Sequence, residues 1–96
     1  MNTKDKALNI IFSNTITVNG VEHETIPSER MVLAYILLEM SLPNCTPMQA
    51  KLPEIAYGVG IEAKAVGRAV RKLIEMGAVE AVKKKAGWCY LGVNVQ

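Results

Sequence analysis

This 96-residue chain has few cysteines and histidines: Cys45, Cys89 and His23 are all of them. No pair of them stands at a CxxC or HxxxH spacing, so no zinc site and no cofactor are expected. The two cysteines read as free thiols of a reducing compartment. Long apolar runs are also missing. The longest, residues 31–38, falls far short of the roughly 20 residues that a membrane-spanning helix needs. The polar opening residues, with Lys4, Asp5 and Lys6, lead into no secretory core or cleavage site, so the chain is expected to stay in the cytoplasm. A nucleophile elbow, a phosphate loop and a carboxylate pair are all absent. Gly58-Val-Gly60 lacks the third glycine and the preceding strand of a dinucleotide site. The chain is therefore not expected to be an enzyme. Aromatics make up 5% of the residues, and Trp88 and Tyr90 are too few for the stacking platform of a single-strand binder.

What remains is a chain of one-domain size, half apolar, with enough hydrophobic material for a packed core. Its net charge of +2 is unevenly spread. Residues 1–50 carry three basic against five acidic side chains, whereas residues 51–96 carry eight basic against four acidic. The second half is the one suited to an anionic partner.

Residues 1–9 are polar and are expected to be frayed, with a β-hairpin over 10–26. Asn19-Gly20 between alternating β-branched residues is a strong two-residue hairpin signal. Such a turn pairs Val18 with Val21 and Ile16 with His23 on one face, and Thr17 with Glu22 and Thr15 with Glu24 on the other. Ser28 is placed to cap a helix over 28–41, with Glu29 in its first turn. That helix is apolar around nearly its whole circumference, so it needs cover on both sides. The second cover is either the rest of the domain or another copy of the chain. Thr46-Pro-Met-Gln49 reads as a further helix start, broken before a new helix at Pro53. From Glu62 to Met76, Val66, Val70 and Leu73 recur at helical spacing, with Lys64, Arg68, Arg71 and Lys72 between them, and Gly77 supplies the stop. Residues 78–82 and 88–95 read as strands joined by a loop that carries Lys83, Lys84 and Lys85.

Residues 52–79 resemble the helix-turn-helix of the winged-helix DNA-binding superfamily, of the small bacterial, phage or plasmid type. Ala56 is small where the second helix crosses, and Gly60 makes the turn at a positive φ. Ile61, Val66 and Val70 plug the angle between the helices, and Leu73 with Gly77-Ala-Val79 redirects the chain into a basic hairpin. The resemblance implies an α+β, winged helix-turn-helix domain with a three-helix core, a C-terminal β-wing over 78–95 and an added N-terminal hairpin. The helix-turn-helix would occupy 53–77.

The resemblance further implies a non-catalytic protein that binds double-stranded DNA through the second helix of the motif in the major groove. The groove-facing positions are then Glu62, Ala63, Lys64, Gly67 and Arg68, with Arg71 and Lys72 as phosphate contacts. Lys83, Lys84 and Lys85 would reach the backbone or the minor groove. Glu62 stands where the family places Ser or Thr. Gly67, costly inside a helix, suggests a close approach by DNA or a partner. Acting as a homodimer through the 28–41 helix, with the hairpin as a further contact, the protein would regulate transcription or mark a site for replication, partition or transfer. No small-molecule ligand and no membrane are implied. A winged helix that docks another protein is the alternative from a different class, and RNA or single-strand binding is a third.

Overall fold

The computed structural model describes residues 3–41, 48–85 and 87–95, and they form a small α+β domain. Helix α1 (Thr3–Phe12) comes first, then strands β1 (Thr15–Val18) and β2 (Val21–Glu24), and then helix α2 (Pro27–Met40). A short strand β3 (Met48–Ala50) precedes helices α3 (Leu52–Val59) and α4 (Ala63–Glu75), and strands β4 (Val79–Lys84) and β5 (Gly87–Val93) close the order.

The N-terminal hairpin forms with the expected register: Thr15 opposite Glu24, Ile16 opposite His23, Thr17 opposite Glu22, Val18 opposite Val21. Asn19 and Gly20 both hold positive φ, 51° and 80°, as a turn matched to strand twist requires. Only β1 buries its apolar side chains, Ile16 and Val18; Val21 on β2 is exposed. The hairpin boundary is corrected, however. Residues 10–12 belong to α1, which also includes most of the segment expected to fray. The reason is tertiary. Ala7 and Ile10, one turn apart, are buried, and α1 packs along α2. A ten-residue helix would be marginal alone, and packing of one narrow face decides it.

That packing also answers the question of cover for α2. Val32, Leu33 and Ile36 have no exposed surface and Ala34 almost none. Helix α1 lies on α2, and α4, α3 and the three-stranded sheet also pack on it. Most of its circumference is covered from within the chain, and Leu38, 39% exposed, is the apolar side chain of α2 that is left out. The cap of α2 is corrected as well: Pro27 opens the helix and Ile26 is the N-cap, not Ser28. The Ile26 N–H donates to Glu29 Oε1 at 3.1 Å, so the carboxylate of a residue already buried closes the first turn.

The second sheet has the order β3-β5-β4, antiparallel throughout. Thr46 and Pro47, the expected helix start, lie outside the described residues, as does Cys45. Met48–Ala50 is strand rather than helix, and Met48, Gln49 and Ala50 pair with Tyr90, Cys89 and Trp88. Here a free edge of β5 outweighs a local capping pattern, because each paired residue satisfies backbone groups on both strands. Tyr90, on the core side of β5, has no exposed surface. Cys89 is half-buried and a free thiol. No described helix is long and apolar enough to cross a membrane.

Candidate nucleic-acid interface

The turn between α3 and α4 is built by Gly60. At φ +76° its N–H donates to the Ala56 carbonyl at 2.8 Å, and the Ile61 N–H reaches the same oxygen at 3.2 Å. This satisfies a terminal carbonyl of α3 and turns the chain. Nothing lies within 4 Å of where a Cβ on Gly60 would stand, so the requirement is purely conformational. Gly60→Ala is therefore expected to cost about 1–2 kcal/mol, from the left-handed penalty alone. Gly60→Asn should cost less, since Asn tolerates that region. Urea midpoints of the two variants check the order.

At its far end α4 stops in a Schellman arrangement. Gly77, at φ +80°, donates to Ile74 O at 3.1 Å, and Ala78 donates to Leu73 O at 2.9 Å. The N-terminal hairpin sits close by: a Cβ on Gly77 would lie 3.7 Å from Val18. His23 and Glu24 of that hairpin line a shallow cavity of about 340 Å³ with Lys72, Glu75 and Met76 of α4.

Between these stops α4 has two distinct sides. Val66, Ala69, Val70 and Leu73 are buried, forming one stripe at helical spacing. Lys64, Arg68, Arg71 and Lys72 are all exposed on the other side. Lys64, Arg68 and Lys72 succeed one another at four-residue steps, and Arg71 lies a turn beyond Arg68, so the four form a contiguous cationic ridge. The first turn of α4 contains no acidic residue, and Lys64 stands there against the helix dipole. A cation in that position works against the helix and suits an anion outside it.

Glu62 is the N-cap of α4 in extended conformation, exposed, and its side chain caps nothing. Ala63 is also exposed. Gly67 receives a different account from the expected one. It is half-buried, and a Cβ there would stand 3.3 Å from Leu52 Cδ1. The close approach is made by the first residue of α3. Gly58 is explained in the same way, because its Cβ would fall 2.5 Å from the Tyr35 ring.

The three lysines of the β4–β5 hairpin do not form one group. Lys83 pairs with Trp88 across β4 and β5, and its ammonium lies 5.6 Å from the centre of the indole ring. Alternation along the strand sends Lys84 to the opposite face. Lys85 occupies the turn. All three are exposed, and Trp88 packs partly against the core. One exposed side chain was not singled out from sequence: Tyr57, on α3, is 93% exposed. A lone tyrosine between Ala56 and Gly58 carries no sequence signal of which way it points.

No protein-family model matches the chain, and neither a curated protein nor a solved structure does.

Proposed function

We propose that this chain is a winged helix-turn-helix protein that binds double-stranded DNA, with α4 as its recognition helix and the β4–β5 hairpin as its wing. The observation that carries the reading is the division of α4 between a fully buried apolar stripe and an exposed ridge of Lys64, Arg68, Arg71 and Lys72. Gly60 sets the angle at which that ridge is presented, and the hairpin that follows α4 brings three more exposed lysines. Arg68 reads guanine by a bidentate pair, while Arg71, Lys72 and Lys84 hold phosphates. Glu62, at the start of α4, suits an exposed cytosine amino group in the groove. The protein works as a dimer, by occupying its site. It either represses a promoter or marks a site for replication, partition or transfer, and it resides in the cytoplasm.

The test is an anisotropy titration against random duplex at 50 and 200 mM salt. Release of counterions from about four or five phosphates predicts an affinity loss of about 10²–10³ over that range. A flat response overturns the proposal. It would favour the second reading, a winged helix that docks another protein, for which the uncapped Glu62 and the small Ala63 are the supporting observation.

A further inference from the structure

The outer face of α1 carries two exposed apolar side chains, Leu8 at 43% and Phe12 at 83%. They are four residues apart, so they share one face, and that face lies almost opposite the buried Ala7 and Ile10. The Thr25 N–H and hydroxyl both donate to Asn14 O, at 3.0 and 3.1 Å. This ties the start of α2 to the end of α1 and brings Ile26, 58% exposed, to the end that carries Phe12. Phe12 is the only phenylalanine in the chain, and it stands in water.

We infer that this face, Leu8 and Phe12 of α1 with Ile26 at its edge, is where a second copy of the chain docks. Three observations select a second copy over another partner. The first is self-complementarity. Two α1 helices crossing antiparallel on a two-fold axis put Leu8 of one copy against Phe12 of the other, twice, as an isologous interface requires. The second is area. The three side chains offer roughly 300–350 Å² per copy, the range at which an exposed apolar patch ceases to be incidental. Two such faces supply an apolar centre of roughly 600–700 Å², so a polar rim of about 250–300 Å² on each copy brings the pairing to about 1,200 Å², the lower end of specific interfaces. The third is placement. Helices α1 and α4 both pack on α2, while no comparable contact joins them to each other. Pairing through α1 therefore leaves the cationic ridge open on both copies.

The interface stands without any assumption about DNA; its consequence for DNA rests on the reading above. With about 8–10 Å between packed helix axes, the five successive packings from α4 through α2 and α1 of one copy to α1, α2 and α4 of the other separate the two α4 helices by at most about 50 Å, measured axis to axis. That bound leaves room for the roughly 34–36 Å between half-sites one helical turn apart.

Sedimentation velocity in the absence of DNA tests the inference. At about 100 µM, a concentration that populates a micromolar dimer, the wild type is expected near twice the 10.5 kDa of one chain. Phe12→Glu and, separately, Leu8→Lys should sediment as single chains with unchanged far-UV spectra, and should melt like the wild type at dilutions where it too is a single chain, since both positions face outward. Val82→Glu, at an exposed apolar position on the wing, should remain dimeric. A monomeric wild type overturns the inference, as does a Phe12→Glu or Leu8→Lys protein that stays dimeric. A dimer lost in the α1 variants without any DNA binding by the wild type would leave this interface standing and remove the DNA reading instead.

Discussion

Arg68→Glu combined with Arg71→Glu is expected to lower affinity for duplex DNA by about 10²–10³, with no loss of folding stability. Both side chains are exposed, so neither charge is supported by packing that the change would disturb. Substitution within ±0.5 kcal/mol is the norm at such positions. Binding is different. A base-reading arginine contributes about 1–3 kcal/mol of discrimination, and reversal replaces each attraction by repulsion from the phosphates. The single alanines separate the roles. Arg68→Ala should lower the ratio of specific to random affinity, whereas Lys84→Ala should weaken both about equally. Competition titrations at fixed salt read the two ratios directly. Equal loss of both affinities in Arg68→Ala would refute the assignment of base reading to Arg68.

The second large effect is on stability at alkaline pH and comes from Tyr90. Its ring is fully buried, and its hydroxyl meets no hydrogen-bond partner among the described residues. Burial pushes the phenol up to about 12 from its ordinary value of 10.0. The unfolded chain ionises near 10, while the folded chain resists until about 12. The folded state therefore keeps its full advantage below pH 10 and loses it progressively as pH rises from 10 to 12. At about 1.4 kcal/mol per pH unit, the loss approaches 2–3 kcal/mol. Urea denaturation at intervals between pH 9 and 12 should show Tyr90→Phe falling less steeply than wild type. At neutral pH the variant should equal or exceed the wild type by about 1 kcal/mol, since it removes a buried hydroxyl with no mate. Tyr35 shares the upward direction, first through burial and then through Glu39 and Glu54, but it is present in both proteins and cancels in the comparison.

Much of this architecture was legible because some segments carry their information locally. Asn19-Gly20 with alternating neighbours determined a hairpin register to the residue, since the turn geometry admits few alternatives. The stripe of Val66, Val70 and Leu73 located α4, and Gly60 and Gly77 located its stops, because positive φ is costly for other residues. Helix α1 was not legible. Its buried face is only Ala7 and Ile10, and its existence depends on α2, which lies beyond a hairpin in sequence. That miss left another question open: the apolar circumference of α2 needed cover from the domain or from a second copy, and α1, which packs along it, was not in view. Strand β3 was hidden for a related reason. Three residues give no alternation to read, and their pairing partners, residues 88–90, are remote in sequence.

In the candidate interface the cationic ridge was readable from charge and period. Gly67 was not, because the side chain it accommodates, Leu52, approaches from another helix. The outward direction of Tyr57 likewise depends on how neighbouring elements pack, whereas the splitting of Lys83 from Lys84 was missed because β4 runs on to Lys84, two residues past the expected strand end.

The pairing of β3 with β5 has a consequence for the order in which the molecule assembles. Helix α1, the first hairpin and α2 are neighbours along the chain, so they can associate early in synthesis at little loop-closure cost. Met48–Ala50 must instead wait for residues 88–90. On a translating ribosome β3 emerges well before the central strand β5 with which it pairs, so the larger sheet closes only once residues 87–93 are out.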